Sequence, residues 1–80
     1  MIVIKVGVET QTDKFPMVNE YDSMEEAQEA LSCFEMEAER RRGKSGASVK
    51  TIKKEIVDNA VMKMEVICHN GNRILYNIER

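Results

Sequence analysis

Residues 61–77 have the sequence VMKMEVICHNGNRILYN. Asn-Gly between two alternating apolar runs is the strongest short-range signal for a β-hairpin, and it stands here at Asn70-Gly71. We expect a three-residue loop over 69–71 with Gly71 in the left-handed region. The facing pairs are then Cys68 with Asn72, Val66 with Ile74, Met64 with Tyr76 and Met62 with Ile78. This register makes one face of the hairpin wholly apolar, which supports it.

Two further strands are predicted before the hairpin. Apolar residues alternate with other residues over 2–8, which is typical of a strand with one buried face. A second strand is expected over 15–21, at or near a sheet edge because Pro16 cannot donate to a ladder. Residues 48–58 fit either a short helix or a strand, and their β-branched side chains favour a strand.

A helix is predicted to follow Asp22-Ser23-Met24-Glu25-Glu26. Ser23 can accept from the Glu26 amide while the Glu26 side chain reaches back to the Ser23 amide, which is a capping box. Apolar residues at spacings of three and four continue to about Arg42. Gly43 is a natural left-handed residue after the last turn.

Together these elements predict a single α+β domain over residues 1–80. The expected order is β-β-α-β-β-β, with one antiparallel or mixed sheet and one helix packed on one face. The opposite face would carry Val3, Val18, Ile67 and Leu75 among charges and is a candidate contact surface. Marginal core size and a free edge expected at Arg73–Glu79 together suggest a homodimer.

Composition excludes several classes of protein. Charged residues make up 32% of the chain and apolar residues 42%, as in a soluble folded domain. The two cysteines lack metal-ligand spacing, so we expect reduced thiols and a cytoplasmic location. No signal peptide and no apolar run of about 20 residues is present, so no membrane partner is expected.

The sequence offers little chemistry for catalysis. Residues 38–45 match a loose phosphate-loop pattern, but a helix rather than a strand precedes them, so its carbonyl end would repel phosphate. Cys68 and His69 are neighbours on a strand and point to opposite faces. We therefore expect no catalytic residue, no cofactor and no metal site, and a protein that is not an enzyme.

Charge is sorted along the chain. Residues 1–39 carry two lysines and ten acidic residues, a net charge of −8, whereas 40–80 carry ten Lys/Arg and four acidic residues, a net charge of +6. Part of this sorting suits the helix dipole. The candidate partner-binding residues are the basic set Arg40, Arg41, Arg42, Lys44, Lys50, Lys53 and Lys54, and the acidic set Glu25, Glu29, Glu35 and Glu39.

Residues 15–27, FPMVNEYDSMEEA, place a strand directly before a capped acidic helix. In this layout, and in size and charge, the chain resembles small phage and prophage accessory proteins of the anti-CRISPR inhibitor type. The resemblance implies a catalytically inert domain that binds and blocks a host complex such as a CRISPR effector. We therefore expect a non-catalytic protein–protein interaction module, an inhibitor or adaptor. The alternative is a nucleic-acid-binding accessory protein that uses the basic segment 40–54.

Overall fold

The computed structural model describes residues 2–9 and 17–80. This part of the chain forms five strands and one helix: β1 (Ile2–Glu9), β2 (Met17–Tyr21), α1 (Met24–Arg40), β3 (Val49–Val57), β4 (Ala60–Cys68) and β5 (Arg73–Glu79). The predicted α+β class is confirmed, and residues 48–58 do contain a strand. The predicted start of the second strand, Phe15-Pro16, lies outside the described residues.

All five strands belong to one sheet, in the order β2-β1-β5-β4-β3, and every neighbouring pair is antiparallel. Of the two predicted alternatives, the sheet is antiparallel and not mixed. The strand β2 lies at an edge of the sheet, as predicted. The prediction of a free sheet edge at Arg73–Glu79 was wrong. That segment is β5, which pairs with β4 on one side and with β1 on the other. The edges of the sheet are instead β2 and β3.

The hairpin of β4 and β5 has the predicted register. Val66 faces Ile74 and Met64 faces Tyr76. Gly71 is left-handed at a φ of 91°, and the Cys68 amide donates to the Asn72 carbonyl at 2.9 Å. β3 and β4 form a second hairpin, whose two-residue turn uses Asp58 and Asn59 with positive φ angles of 52° and 65°. Two short turns thus join β3, β4 and β5 into the three-stranded half of the sheet.

The helix begins at the predicted cap. Ser23 Oγ accepts from the Glu26 amide at 3.2 Å, but the Glu26 carboxylate accepts from the Asp22 amide at 3.4 Å rather than from the Ser23 amide. At the other end α1 stops at Arg40, because the Arg41 amide bonds back to the Ala38 carbonyl. This tighter last turn needs no left-handed residue.

The role expected for Gly43 was therefore wrong. Among the described glycines the positive φ angles belong to Gly46 and Gly71. Gly43 instead approaches Ser48 so closely that a Cβ on it would lie 2.6 Å from the Ser48 Cβ. The missing side chain of Gly43 therefore leaves space for Ser48, and backbone freedom is not what this position needs.

The core lies between α1 and one face of the sheet. Ala27, Leu31 and Ala38 of the helix pack against buried residues of β1, β3, β4 and β5. Phe34 stacks on Tyr76 with ring centroids 5.0 Å apart. The other face of the sheet is covered by no element that the structure describes. No helix in the described ranges is long and apolar enough to span a membrane.

Candidate functional site

An ion pair at the end of α1 removes one residue, Arg42, from the predicted basic set. Arg42 donates to Glu39 through Nε, 2.6 Å from Oε2, and through Nη2, 3.1 Å from Oε1. The same guanidinium reaches the Lys50 carbonyl at 3.3 Å. This bidentate hydrogen bond lowers the pKa of Glu39 below its usual value and raises the pKa of Arg42. One predicted cation and one predicted acid are thus bound to each other.

A second ion pair crosses from the sheet to the helix. Lys54 Nζ lies 2.9 Å from the Glu35 carboxylate, because β3 turns Lys54 towards the helix side of the sheet. Its neighbour Lys53 points to the opposite face, where the register places it beside Glu65. Lys53 and Lys54 are therefore not parts of one basic surface.

Four members of the basic set remain together, namely Arg40, Arg41, Lys44 and Lys50. They surround the end of α1, the following loop and the start of β3, and all four are exposed. None forms an ion pair with any residue in the described ranges. The positive surface that the structure offers is about half of the predicted set.

The acidic set does not form one face either. Glu25 and Glu29 are exposed near the start of α1, without an ion-pair partner within residues 2–9 and 17–80. Glu35 lies on the flank of the helix that faces β3, and Glu39 is bound by Arg42. Two of the four predicted acids are available to a partner.

The outward side of α1 carries an apolar centre that was not among the predicted partner-binding residues. Met36 is 53% exposed and Cys33 is also exposed. A shallow hollow of about 330 Å³ lies here, lined by Cys33, Phe34, Met36, Glu37 and Arg40. Glu25 and Glu29 lie towards the start of this side of the helix and Arg40 towards its end. We call Glu25, Glu29, Cys33, Met36 and Arg40 the outer helix patch.

The open face of the sheet carries the apolar residues predicted for it, but it also carries several ion pairs. Lys5 pairs with Glu79 at 3.0 Å, Arg73 with Glu65 at 3.0 Å and Lys63 with Glu55 at 3.8 Å. Val3, Ile67 and Leu75 are half-buried among these pairs, and Val18 is 55% exposed. A hollow of about 370 Å³ lies over β3, β4 and β5 on this face. Charges thus separate its apolar residues.

A contact between two loops was not predicted from the sequence. His69 Nε2 lies within hydrogen-bonding distance, 2.8 Å, of the Gly43 carbonyl. The amides of His69 and Asn70 donate to the carbonyls of Ser48 and Gly46 at 3.0 and 2.9 Å. The loop between β4 and β5 is therefore bound to the loop after α1. No local signal pointed to this contact, since the partners are more than 20 residues apart.

The two cysteines and His69 do not form a reactive group. Cys68 is buried in the core, Cys33 is exposed on the helix, and His69 contacts a backbone carbonyl. In the part of the chain that the structure describes, no three His, Cys, Asp or Glu side chains are grouped so that they could hold a metal ion. Comparison with protein-family models, curated proteins and solved structures finds no match to this chain.

Proposed function

We propose that this protein is a non-catalytic interaction module that binds a protein partner through the outer helix patch. The observation that carries the proposal is Met36, a large apolar side chain that is 53% exposed at the centre of a charged helix surface. A small apolar centre inside a polar rim is the usual anatomy of a protein interface. The flexible thioether of methionine also suits adaptable contacts.

Charge on the patch indicates the chemistry of the partner. Glu25 and Glu29 stand at one end and Arg40 at the other. A complementary surface would place an apolar side chain against Met36, cations opposite the two glutamates and an acid opposite Arg40. Such complementarity increases the association rate and excludes wrong partners more than it adds affinity. Burial of Met36 would contribute to the affinity as an apolar anchor.

The resemblance to small phage inhibitors favours a particular mode of action. A domain that covers a functional surface of a host complex needs no catalytic group, only a stable and well-placed contact. We therefore propose that the partner is blocked rather than modified, and that a CRISPR effector is one such complex. An adaptor that joins two partners uses the same surface chemistry.

The test compares two lysine substitutions at equally exposed apolar residues. Wild-type protein, Met36→Lys and Val18→Lys are immobilised and exposed to nuclease-treated lysate of the source cell. Met36 and Val18 are 53% and 55% exposed, but Val18 lies on β2 and outside the patch. We expect a stoichiometric protein to be retained by wild type and Val18→Lys, with about tenfold weaker binding to Met36→Lys.

Two results would contradict the proposal. One is that no protein is retained in stoichiometric amount by the wild-type chain. The other is that Met36→Lys retains the partner as well as Val18→Lys does, which would move the contact away from the outer helix patch.

Nucleic-acid binding is the second candidate, because Arg40, Arg41, Lys44 and Lys50 are exposed and without ion-pair partners in the described residues. Four phosphate contacts would make the logarithm of the binding constant fall by about 3.6 per logarithm of salt. Against it, Arg42 and Lys54 are bound by Glu39 and Glu35. Capture that disappears on nuclease treatment, together with loss of binding in Lys44→Ala/Lys50→Ala, which lie outside the outer helix patch, would favour this candidate over the first.

A further inference from the structure

We propose that a second copy of this chain pairs with β3, so that two five-stranded sheets join edge to edge as one continuous antiparallel sheet. β3 is the last strand on its side of the sheet. Its far end carries two exposed apolar side chains, Ile56 at 64% and Val57 at 47%. An open edge with apolar residues is a template for another strand.

The hydrogen-bonding groups of β3 point in the required direction. Cys68 uses its amide and carbonyl towards β5, bonding to Asn72 and Gly71. Backbone groups alternate along an antiparallel strand, so Val66 and Met64 also bond towards β5. Their partners across the ladder, Ile52 and Lys54, therefore turn their own amides and carbonyls away from β4.

Symmetry restricts how two copies of β3 can pair. Two identical strands in one antiparallel sheet are related by a two-fold axis perpendicular to the sheet, and facing residues must share a face. The axis therefore passes midway between one residue and its own copy, and the numbers of facing residues differ by an even number. Only a few registers of β3 satisfy this condition.

The register centred on Lys54 is chemically self-complementary. Ile52 faces Ile56 on the helix side, and Thr51 faces Val57 on the open side. Lys53, which has no ion-pair partner among the described residues, faces Glu55, whose own contact with Lys63 is a long 3.8 Å. Each contact occurs twice. Opposite charges and apolar pairs directly across a ladder are the ones that stabilise it.

Neighbouring registers lack this match. Centring on Lys53 places Ile52 opposite Lys54, and Val57 opposite Val49. The outer edge of Val49 is already occupied, because its amide bonds to the Arg41 carbonyl at 2.8 Å and its carbonyl accepts from the Gly43 amide. Centring on Glu55 sets two glutamates face to face and Lys54 opposite Ile56.

The partner strand is short enough to avoid the start of β3, where the outer edge of Val49 is already bonded to the segment after α1. In the register centred on Lys54, the last paired residue of the second copy is Val57, which faces Thr51. The second copy then turns away at Asp58, where its φ is positive, just before it would meet the segment bonded to Val49. At the centre, each Lys54 has its charge balanced by its own Glu35 at 2.9 Å.

Reciprocal charge substitutions test this dimer by sedimentation equilibrium over micromolar to millimolar concentrations. Lys53→Glu and Glu55→Lys each place like charges face to face twice, so we expect each variant to dimerise at least about tenfold more weakly. An equimolar mixture of the two variants restores opposite charges at both positions and should form a heterodimer. Lys44→Glu, an equal change of charge outside β3, should dimerise like wild type.

A wild-type chain that stays monomeric at millimolar concentration would overturn the proposal. So would variants that dimerise as strongly as wild type, or a mixture that stays monomeric. Restoration in the mixture also shows that both variants are folded, which separates a lost interface from a lost fold.

Cysteine cross-linking tests the register itself, in a Cys33→Ser background. Lys54 and its copy would be a hydrogen-bonded pair with Cα atoms about 5.5 Å apart, within the range for a disulfide. Thr51 and its copy would be six positions apart, roughly 20 Å. We expect oxidation to link Lys54→Cys and not Thr51→Cys, and the reverse result would exclude this register.

The dimer is independent of the proposed function. The outer helix patch lies on the surface of α1, and the pairing edge lies on β3. Loss of the protein partner in Met36→Lys and loss of the dimer in Lys53→Glu are separate measurements, so either proposal can fail alone.

Discussion

At the scale of single residues, Gly43 shows how one sequence signal can have two physical causes. A glycine just after a helix usually supplies a left-handed residue. Here α1 ends without one, and Gly43 is instead pressed against Ser48. Its amide donates to the Val49 carbonyl, and its own carbonyl lies 2.8 Å from His69. The glycine therefore allows three chain segments to meet.

We expect Gly43→Ala to lower the free energy of unfolding by about 1–3 kcal/mol, since the new methyl group would overlap Ser48. Adding Ser48→Gly removes the obstacle and should recover part of the loss. Gly7→Ala is the control, because a Cβ there has no neighbour within 4 Å. Urea denaturation measures all four proteins, and a Gly43→Ala loss no larger than that of Gly7→Ala would refute the steric explanation.

At the scale of elements, the end of α1 is organised by charge. The helix starts with Glu25 and Glu26 and finishes with Arg40, which matches its dipole. Arg42, just beyond the end, binds Glu39 within the last turn and also the start of β3. One guanidinium thus connects the helix to the edge strand.

This pair predicts a pH dependence. The hydrogen bonds from Arg42 lower the pKa of Glu39 in the folded chain, so the pair stabilises the fold above the unfolded pKa, and that stabilisation is lost as pH falls through the folded pKa. Arg42→Gln should raise the pKa of Glu39 by NMR titration. It should also destabilise the fold at neutral pH more than in acid, whereas Arg40→Gln should show no such difference.

At the scale of the whole molecule, the two edges of the sheet differ. β2 is a short strand of five residues, whereas β3 has nine. A chain of 80 residues buries a small core, so the proposed association would add to its stability. The longer edge is therefore where a second copy would add most to the fold.

Association predicts a stability that depends on concentration. A dimer that forms only from folded chains raises the Tm as protein concentration increases. We expect this shift in wild type and in Lys44→Glu, and a smaller shift over the same concentrations in Lys53→Glu. Calorimetry at several concentrations measures it, and equal shifts in all three proteins would argue against pairing through β3.

The candidate site was only partly predictable. The Glu39–Arg42 pair is three residues apart on a helix end, so its spacing could have indicated it. The Lys54–Glu35 pair is 19 residues apart and depends on β3 lying beside α1. Met36 could be recognised as off the apolar stripe, but its place in a hollow required the packing of Phe34 and Arg40 around it.

Local chemistry in the sequence determined the hairpin of β4 and β5 and the start of α1. Asn70-Gly71 specified a hairpin and its register, and Ser23 specified where the helix begins, because turns and caps involve residues only a few positions apart. β3 was harder to recognise because the pairing is irregular between Val49 and Thr51, which interrupts the alternation.

Only the tertiary structure decided the order of the strands. β5 lies in the middle because its second edge pairs with β1, more than 60 residues earlier in the chain. Any strand with a suitable apolar face could have taken that place, and such long-range pairing depends on how all the apolar faces are buried together. That choice left β3 at the edge, and with it the surface proposed to bind a second copy.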